Sequence, residues 1–364
     1  MIDQTILKQE EKAVFALRSL YRRYGYCPYK MSKFEEYEYY IRNKDFLVSD
    51  RIITFNDTNG RLLALKPDVT LSIIKNCEAT PGCKQKVCYN ENIYRVSDST
   101  HQFREIMQAG LECIGDIDLY DICEVVSLAA QSLALIQEEF IVQVSDLDIL
   151  SALLNRACDD AGFRAAATGF IAGKNAHDLR RLCNKFDLDP QITDTLCDFV
   201  GLCGSRRDVL ARLEETCGWL GDTLGRLKAL SALLDRSPHS EKIRFDFSVV
   251  GDMNYYNGIV FRGYLSGICD GILSGGQYDK LMQKMEHRAG AIGFALYLDL
   301  LEQLPTPRNT FDVDVLLLYS DPCQAADAVE SLTAAGKTVS AQRAIPPKLR
   351  YRELVDLRKE EATC

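Results

Sequence analysis

A chain of 364 residues exceeds one ordinary domain, so two or three are expected. Its composition, 47% apolar and 26% charged without a low-complexity tract, is that of a globular protein, and no apolar run reaches the ~18 residues that span a bilayer. A net charge of −9 removes any default expectation of nucleic acid, and the basic pairs Arg22-Arg23, Arg180-Arg181 and Arg206-Arg207 read as solvated helix faces. The opening Met1-Ile2-Asp3-Gln4 has neither the basic start nor the apolar core of a signal peptide, which makes the cytoplasm the expected location. Fourteen cysteines are scattered without a Cys-x-x-Cys pair, so reduced, buried cysteines are expected and neither a disulfide framework nor a metal site.

In chain order, the spacing of Val14, Leu17, Leu20, Tyr21 and Tyr24 predicts a helix over 7–24, stopped at Gly25. Residues 51–57 and 62–65 read as strands around the turn Asn59-Gly60, and Pro67-Asp68 opens a helix at Val69. Strands at 85–96 and 102–114 flank the polar loop 97–100; a helix near 118–138 and a strand at 139–144 close this block. Residues 146–237 are helical by pattern and read as an all-helical insertion. Strands then return at 243–250, 257–265 and 268–273, followed by a helix at 277–286, a strand at 289–294 and a helix at 295–303. Pro305, Pro307 and Asn309 form a linker to a βαβα segment: strand 313–319, helix 322–335, strand 338–342 and a helix after Pro346-Pro347. Strands on both sides of a helical insertion argue for an α+β core around one mixed sheet.

One strand carries polar residues where a core strand should not. On one face of 106–114 lie Met107, Ala109, Leu111 and Cys113; on the other lie Ile106, Gln108, Gly110, Glu112 and Ile114. Burying an unpaired Gln and Glu costs on the order of several kcal/mol, so either a ligand, a solvated face or a matching polar partner must satisfy them. A glycine between them leaves space for a ligand to approach the backbone.

Further stretches bear on this choice. They are Thr54-Phe55-Asn56-Asp57-Thr58-Asn59-Gly60, Leu65-Lys66-Pro67-Asp68-Val69-Thr70, Ile93-Tyr94-Arg95, and Gln102-Phe103-Arg104-Glu105 leading into the stripe. Later come Tyr255-Tyr256-Asn257-Gly258-Ile259-Val260-Phe261, Gly275-Gly276-Gln277-Tyr278-Asp279 and Gly290-Ala291-Ile292-Gly293-Phe294-Ala295. In this order they resemble the class II aminoacyl-tRNA synthetase core, specifically its histidyl branch, over roughly 7–303. The resemblance implies a core of 1–145 and 238–304 with a central antiparallel sheet flanked by helices, a helical insertion at 146–237, and a truncated anticodon-binding-like α/β segment at 310–364.

The same resemblance implies an amino-acid pocket made of Asp68, Thr70, Arg95, Gln108, Glu112, Tyr255 and Tyr256. Asp68, Thr70 and Gln108 would face an α-ammonium, Glu112 an imidazole N–H, and Arg95 a carboxylate, as a zwitterionic histidine requires. Against this, positions that carry the family's catalytic arginines fall at Gly251 and Leu300. Its motif-two loop departs at Ser97 and Gln102, and its motif-one proline is replaced by Ser32. Losing one such cation typically costs ~10²–10³ in rate. A pocket kept without catalytic cations resembles the regulatory subunit family of ATP phosphoribosyltransferase. That family implies no catalytic residues and no cofactor, L-histidine as feedback effector, and a short-form catalytic subunit as partner. It also implies a homodimer within a hetero-oligomer, no membrane and no tRNA. A functional histidyl-tRNA synthetase, or a free-standing adenylating paralogue, is the enzyme alternative.

Overall fold

Helix α1 (Gln9–Arg23) places Ala13, Leu17, Leu20 and Tyr21 on one buried face, with Glu10 and Glu11 in its first turn and Arg22 and Arg23 in its last. Both charge sets oppose the helix dipole favourably, and Gly25, at φ +83°, turns the chain out. In the computed structural model the described residues are 7–43, 52–77, 82–97, 100–251, 253, 255–305 and 310–359. The expectations at Arg51, Asp98, Ser99, Pro307 and Asn309 lie outside them. The chain divides into two units, Met1–Leu304 and Pro305–Cys364.

After α1 come β1 (Cys27–Pro28), β2 (Phe34–Glu36), α2 (Tyr37–Arg42), β3 (Thr54–Asn56), β4 (Leu62–Leu65) and α3 (Val69–Lys75). The two longest strands, β5 (Lys84–Val96) and β6 (Phe103–Gly115), precede α4 (Leu119–Ala134) and β7 (Phe140–Asp146). A helical stretch follows: α5 (Leu147–Ala157), α6 (Ala161–Ala172), α7 (Ala176–Lys185), α8 (Pro190–Val200), α9 (Arg206–Cys217) and α10 (Gly221–Leu234). It holds one two-residue strand, β8 (Cys203–Gly204), which the sequence pattern did not signal and which pairs with β9 (Ile243–Asp246). The first unit ends with β10 (Asn257–Leu265), β11 (Leu273–Gln277), α11 (Asp279–Lys284) and β12 (Gly290–Tyr297).

Nine strands form one sheet in the order β1-β5-β6-β12-β11-β10-β7-β9-β8. Among the described residues of this sheet, β1/β5 and β7/β9 pair in parallel; the centre is antiparallel. A second, three-stranded sheet runs β2-β4-β3. The alternation predicted for 106–114 decides how the large sheet is dressed. Ala109, Leu111 and Cys113 of β6 enter one apolar cluster with α1 and α4, whereas Ile114 joins a second cluster with Val69, Leu71, Ile73 and Ile74 of α3 and with Leu281 and Met282 of α11. Full burial of one such leucine contributes about 1.5–3 kcal/mol. The polar middle of β6 therefore faces the space bounded by α3, α11 and the strands. No helix among the described residues is long and apolar enough to cross a membrane.

Several boundaries differ from expectation for local reasons. The strand from Ile243 stops at Asp246, because the Asp246 carboxylate captures the Ser248 N–H at 2.9 Å and the Ser248 hydroxyl at 2.6 Å, bending the chain. The segment expected as a strand at 268–273 is a turn, with Gly267 at φ +87°, and the strand begins at Leu273. The closing strand runs on to Tyr297, and the expected helix shrinks to a 3₁₀ turn over Leu298–Gln303.

In the second unit, β13 (Val313–Leu318), α12 (Pro322–Ala334) and β14 (Val339–Gln342) form as predicted, but the helix expected after Pro346-Pro347 is a strand, β15 (Tyr351–Asp356). All three strands are parallel, in the order β14-β13-β15. The Arg350–Asp312 pair, bonded at 2.6 Å, pins the start of β15 beside β13. Pairing satisfies a β13 edge that would otherwise be open, and this long-range gain overrides a weak local helical pattern.

Candidate functional site

Asp68 ends β4's exit loop and begins α3: its backbone is extended, and its carboxylate accepts from Leu71 N–H at 2.9 Å. This N-cap, reinforced by the helix dipole, fixes where the first turn points. Thr70, in that turn, donates its hydroxyl to Glu112 Oε1 at 2.9 Å. The other carboxyl oxygen, Oε2, accepts from the Tyr278 hydroxyl at 2.6 Å. Glu112 is 2% exposed. Burial pushes its carboxyl up to about 8, against the opposing effect of the Tyr278 and Thr70 hydrogen bonds, with the nearby Asp68 adding to the rise.

Asp68 is also raised above the carboxylate range, chiefly by burial, while its hydrogen bond from Leu71 and the Arg95 guanidinium pull it back. Arg95 of β5 stands 4.0 Å from Asp68 and donates through Nε to the Pro67 carbonyl at 3.0 Å. The rings of Tyr255 and Tyr256 lie 4.6 Å apart, and Tyr255 lies 5.9 Å from Tyr278. Burial raises the hydroxyls of Tyr255, Tyr256 and Tyr278 far above their ordinary range, so all three stay neutral donors.

All seven residues singled out in the sequence, Asp68, Thr70, Arg95, Gln108, Glu112, Tyr255 and Tyr256, line one cavity. Among the described residues that line it, Arg95 is the one cation, and the lining also holds two carboxylates, Asp68 and Glu112. Sequence reasoning missed Tyr278, Tyr89, Ser274 and Tyr297, which also line it. Tyr278 sat in a stretch quoted only for the family resemblance, and its hydroxyl is the closest donor to Glu112. Tyr89 could not be found without the register, which sets it opposite Gly110.

The register also corrects the reading of Gly110. The space beside this glycine is not left for a ligand: a Cβ there would stand 2.5 Å from the Tyr89 hydroxyl and 2.2 Å from the Phe294 carbonyl. Gly110 makes room for Tyr89, whose hydroxyl reaches Phe294 O at 3.4 Å. A second glycine, Gly293 of β12, makes room for Glu112 itself, since its Cβ would fall 1.7 Å from Oε2.

The positions read as departures from a catalytic pattern lie elsewhere. Ser32, Ser97, Gln102, Gly251 and Leu300 are not among the residues lining the cavity. Gly251 adopts φ +61°, and a Cβ there would meet the Tyr256 ring at 3.2 Å, so a larger side chain is disfavoured on both counts. Leu300 packs against the apolar core.

The sequence matches the family model described as histidyl-tRNA synthetase over residues 4–301. Among curated relatives, an ATP phosphoribosyltransferase regulatory subunit of Oceanobacillus iheyensis is 28% identical over 319 residues, 85% of this chain and 78% of that one. A crystal structure of an ATP phosphoribosyltransferase regulatory subunit/histidyl-tRNA synthetase from Bacillus halodurans superposes with a TM-score of 0.79 at 23% identity, over 96% of this chain and 93% of that chain. An ATP phosphoribosyltransferase complex (HisG:HisZ) from Thermotoga maritima gives 0.63 at 19% identity, over 79% of this chain and 97% of that chain. At these identities the two structures speak for the fold, which is that of a class II synthetase core. The match spans most of the chain, and the chain belongs to the histidyl-tRNA synthetase family.

Proposed function

We propose that this chain is a non-catalytic regulatory subunit of an ATP phosphoribosyltransferase, binding L-histidine in the cavity and conveying its presence to a short-form catalytic subunit. The observation that carries the reading is the cavity's charge. Two carboxylates, one guanidinium and a carboxamide suit a zwitterionic amino acid with a ring N–H, whereas one cation is poor provision for a triphosphate. Asp68 and Gln108 take the ammonium, Arg95 the carboxylate and Glu112 the ring. A ligand lacking the ring N–H would leave the buried Glu112 carboxyl with only the Thr70 and Tyr278 hydroxyls, one partner short of what histidine offers, which favours histidine. Adenylation needs cations set against developing phosphate charge, and Gly251 and Leu300 supply none. The names of the relatives support the regulatory role.

On this reading α5–α10 are an insertion in a synthetase-like core, and the second unit is a partial counterpart of an anticodon-binding domain that no longer serves tRNA. The chain works in the cytoplasm as a homodimer inside a hetero-oligomer. Linkage requires that histidine and the catalytic chain's substrates alter each other's affinity reciprocally. The test is reconstitution with a short-form catalytic chain: the mixture should turn over ATP and lose activity on adding histidine, while this chain alone shows no histidine-dependent ATP–pyrophosphate exchange. Measurable exchange, or a catalytic chain indifferent to it, refutes the reading.

A further inference from the structure

If the cavity holds histidine, its charges do not balance with the ligand's ordinary form, and the following rests on that histidine reading. The groups facing Glu112 are Thr70 and Asp68 at the start of α3, Tyr89 on β5, Tyr255 and Tyr256 ahead of β10, and Tyr278 after β11. On β12 the residue opposite it is Gly293. None of these is a cation, and the tyrosines are neutral. Arg95 stands beside Asp68 instead, at 4.0 Å. A histidine with a neutral ring brings one ammonium and one carboxylate. The ammonium offsets Asp68 and the carboxylate offsets Arg95, which leaves Glu112, 2% exposed, uncompensated whenever it is ionised, a costly state in a dry site. A proton on Glu112 closes the balance in the empty site, and a ligand of net charge +1 closes it once that proton has moved to the ring. Both Glu112 oxygens already accept an O–H, from Thr70 and from Tyr278, so the group is arranged as an acceptor.

We propose that histidine binds with its ring as the doubly protonated imidazolium, ion-paired with the Glu112 carboxylate, and that at neutral pH Glu112 itself supplies the extra proton. The Glu112 O–H bond breaks, the ring N–H bond forms, and the number of bound protons is unchanged. Burial of Glu112 supports the transfer: with its carboxyl pushed up to about 8, the empty site holds the proton at pH 7, while a free ring titrating near ~6.5 is mostly neutral there. Above about pH 8 the empty site has lost that proton, so binding draws one from solvent and affinity falls towards tenfold per pH unit. Below ~6.5 the free ring is already charged, binding expels the Glu112 proton, and affinity falls again as pH drops.

The full-length chain with ring-¹⁵N-labelled histidine tests this at about pH 7.5. Bound histidine should show both ring nitrogens at imidazolium shifts, while free histidine shows the neutral tautomers. Calorimetry in buffers of different ionisation enthalpy should find almost no proton uptake at pH 7 and most of one proton at pH 8.5. In Glu112→Gln the bound ring should be neutral and the uptake should shrink to the small part due to the ligand's ammonium. A neutral bound ring in the unaltered chain, flat proton uptake, or an imidazolium that persists in Glu112→Gln overturns the proposal while leaving histidine binding intact. Failure of the folded chain to bind histidine at any pH overturns the histidine reading as well.

Discussion

Gly293→Ala is the most informative single change for the site's architecture. Gly293 lies on β12 directly opposite Glu112 on β6, and its Cβ would stand 1.7 Å from Glu112 Oε2 and 2.4 Å from the Leu111 carbonyl oxygen. The carboxyl can swing aside, but the carbonyl is held by the sheet, so the strands themselves must part. Overpacking of this kind costs about 1–3 kcal/mol. Displacing Glu112 also breaks the hydrogen bonds from Thr70 at 2.9 Å and Tyr278 at 2.6 Å, each worth roughly 0.5–1.5 kcal/mol. The expected loss is therefore about 2–6 kcal/mol. Urea unfolding followed by the fluorescence of Trp219, the chain's single tryptophan, reads it directly. Gly169→Ala on α6, where nothing lies within 4 Å of the new Cβ, is the control and should stabilise by about 0.5–1 kcal/mol. An unfolding midpoint for Gly293→Ala equal to that of the unaltered chain would refute the steric argument.

Other changes separate the parts of the site and the scaffold. Tyr278→Phe removes the donor to Glu112 Oε2 and should weaken histidine binding by roughly fivefold, from about 1 kcal/mol per lost bond; unchanged calorimetric affinity would show that this hydroxyl does not orient the carboxyl. Asp146, 4% exposed, caps α5 while burial raises its carboxyl to about 6, with Asp148 adding to the rise. The folded state thus binds more protons than the unfolded one between about pH 4 and 6, so stability falls as pH rises through that window and stays low above it. Asp146→Asn keeps a capping oxygen and removes the buried charge, so stability at pH 7 should rise by up to about 3 kcal/mol and the slope should flatten; an unaltered slope counts against it. Arg206, 8% exposed, donates to Ser240 O at 2.6 Å and Ile243 O at 2.9 Å and pairs with Asp235, tying α9 to the end of α10 and to β9. Arg206→Met should cost about 1–3 kcal/mol, with urea unfolding as the measure, because the Ser240 and Ile243 carbonyls lose their donor while the exposed Asp235 returns to water; an unchanged unfolding midpoint would show the cluster to be solvated.

Much of this was legible along the chain because it depends on near neighbours. The α1 face at helical spacing, the Pro67-Asp68 helix start and the two-faced pattern of β6 each follow from local chirality, capping and the period of a strand. The same alternation exposed Gln108 and Glu112 as polar groups needing partners. The sequence could not identify those partners, because each comes from a different element brought in by pairing register. Tyr89 reaches its place across β5/β6, Tyr278 follows the end of β11, and the absent Gly293 side chain is felt only across β6/β12. The misread glycine has the same origin: Gly110 leaves a gap in sequence terms, but the fold fills it with Tyr89. At the other end of the chain, the residues after Pro346-Pro347 carry too weak a periodicity to choose between helix and strand, and the unpaired edge of β13 decided for strand. Sequence alone thus determined which side chains must be satisfied, since burial and charge are properties of residues. Tertiary structure decided what satisfies them and how Glu112 is charged, since desolvation and hydrogen bonding belong to the assembled cavity.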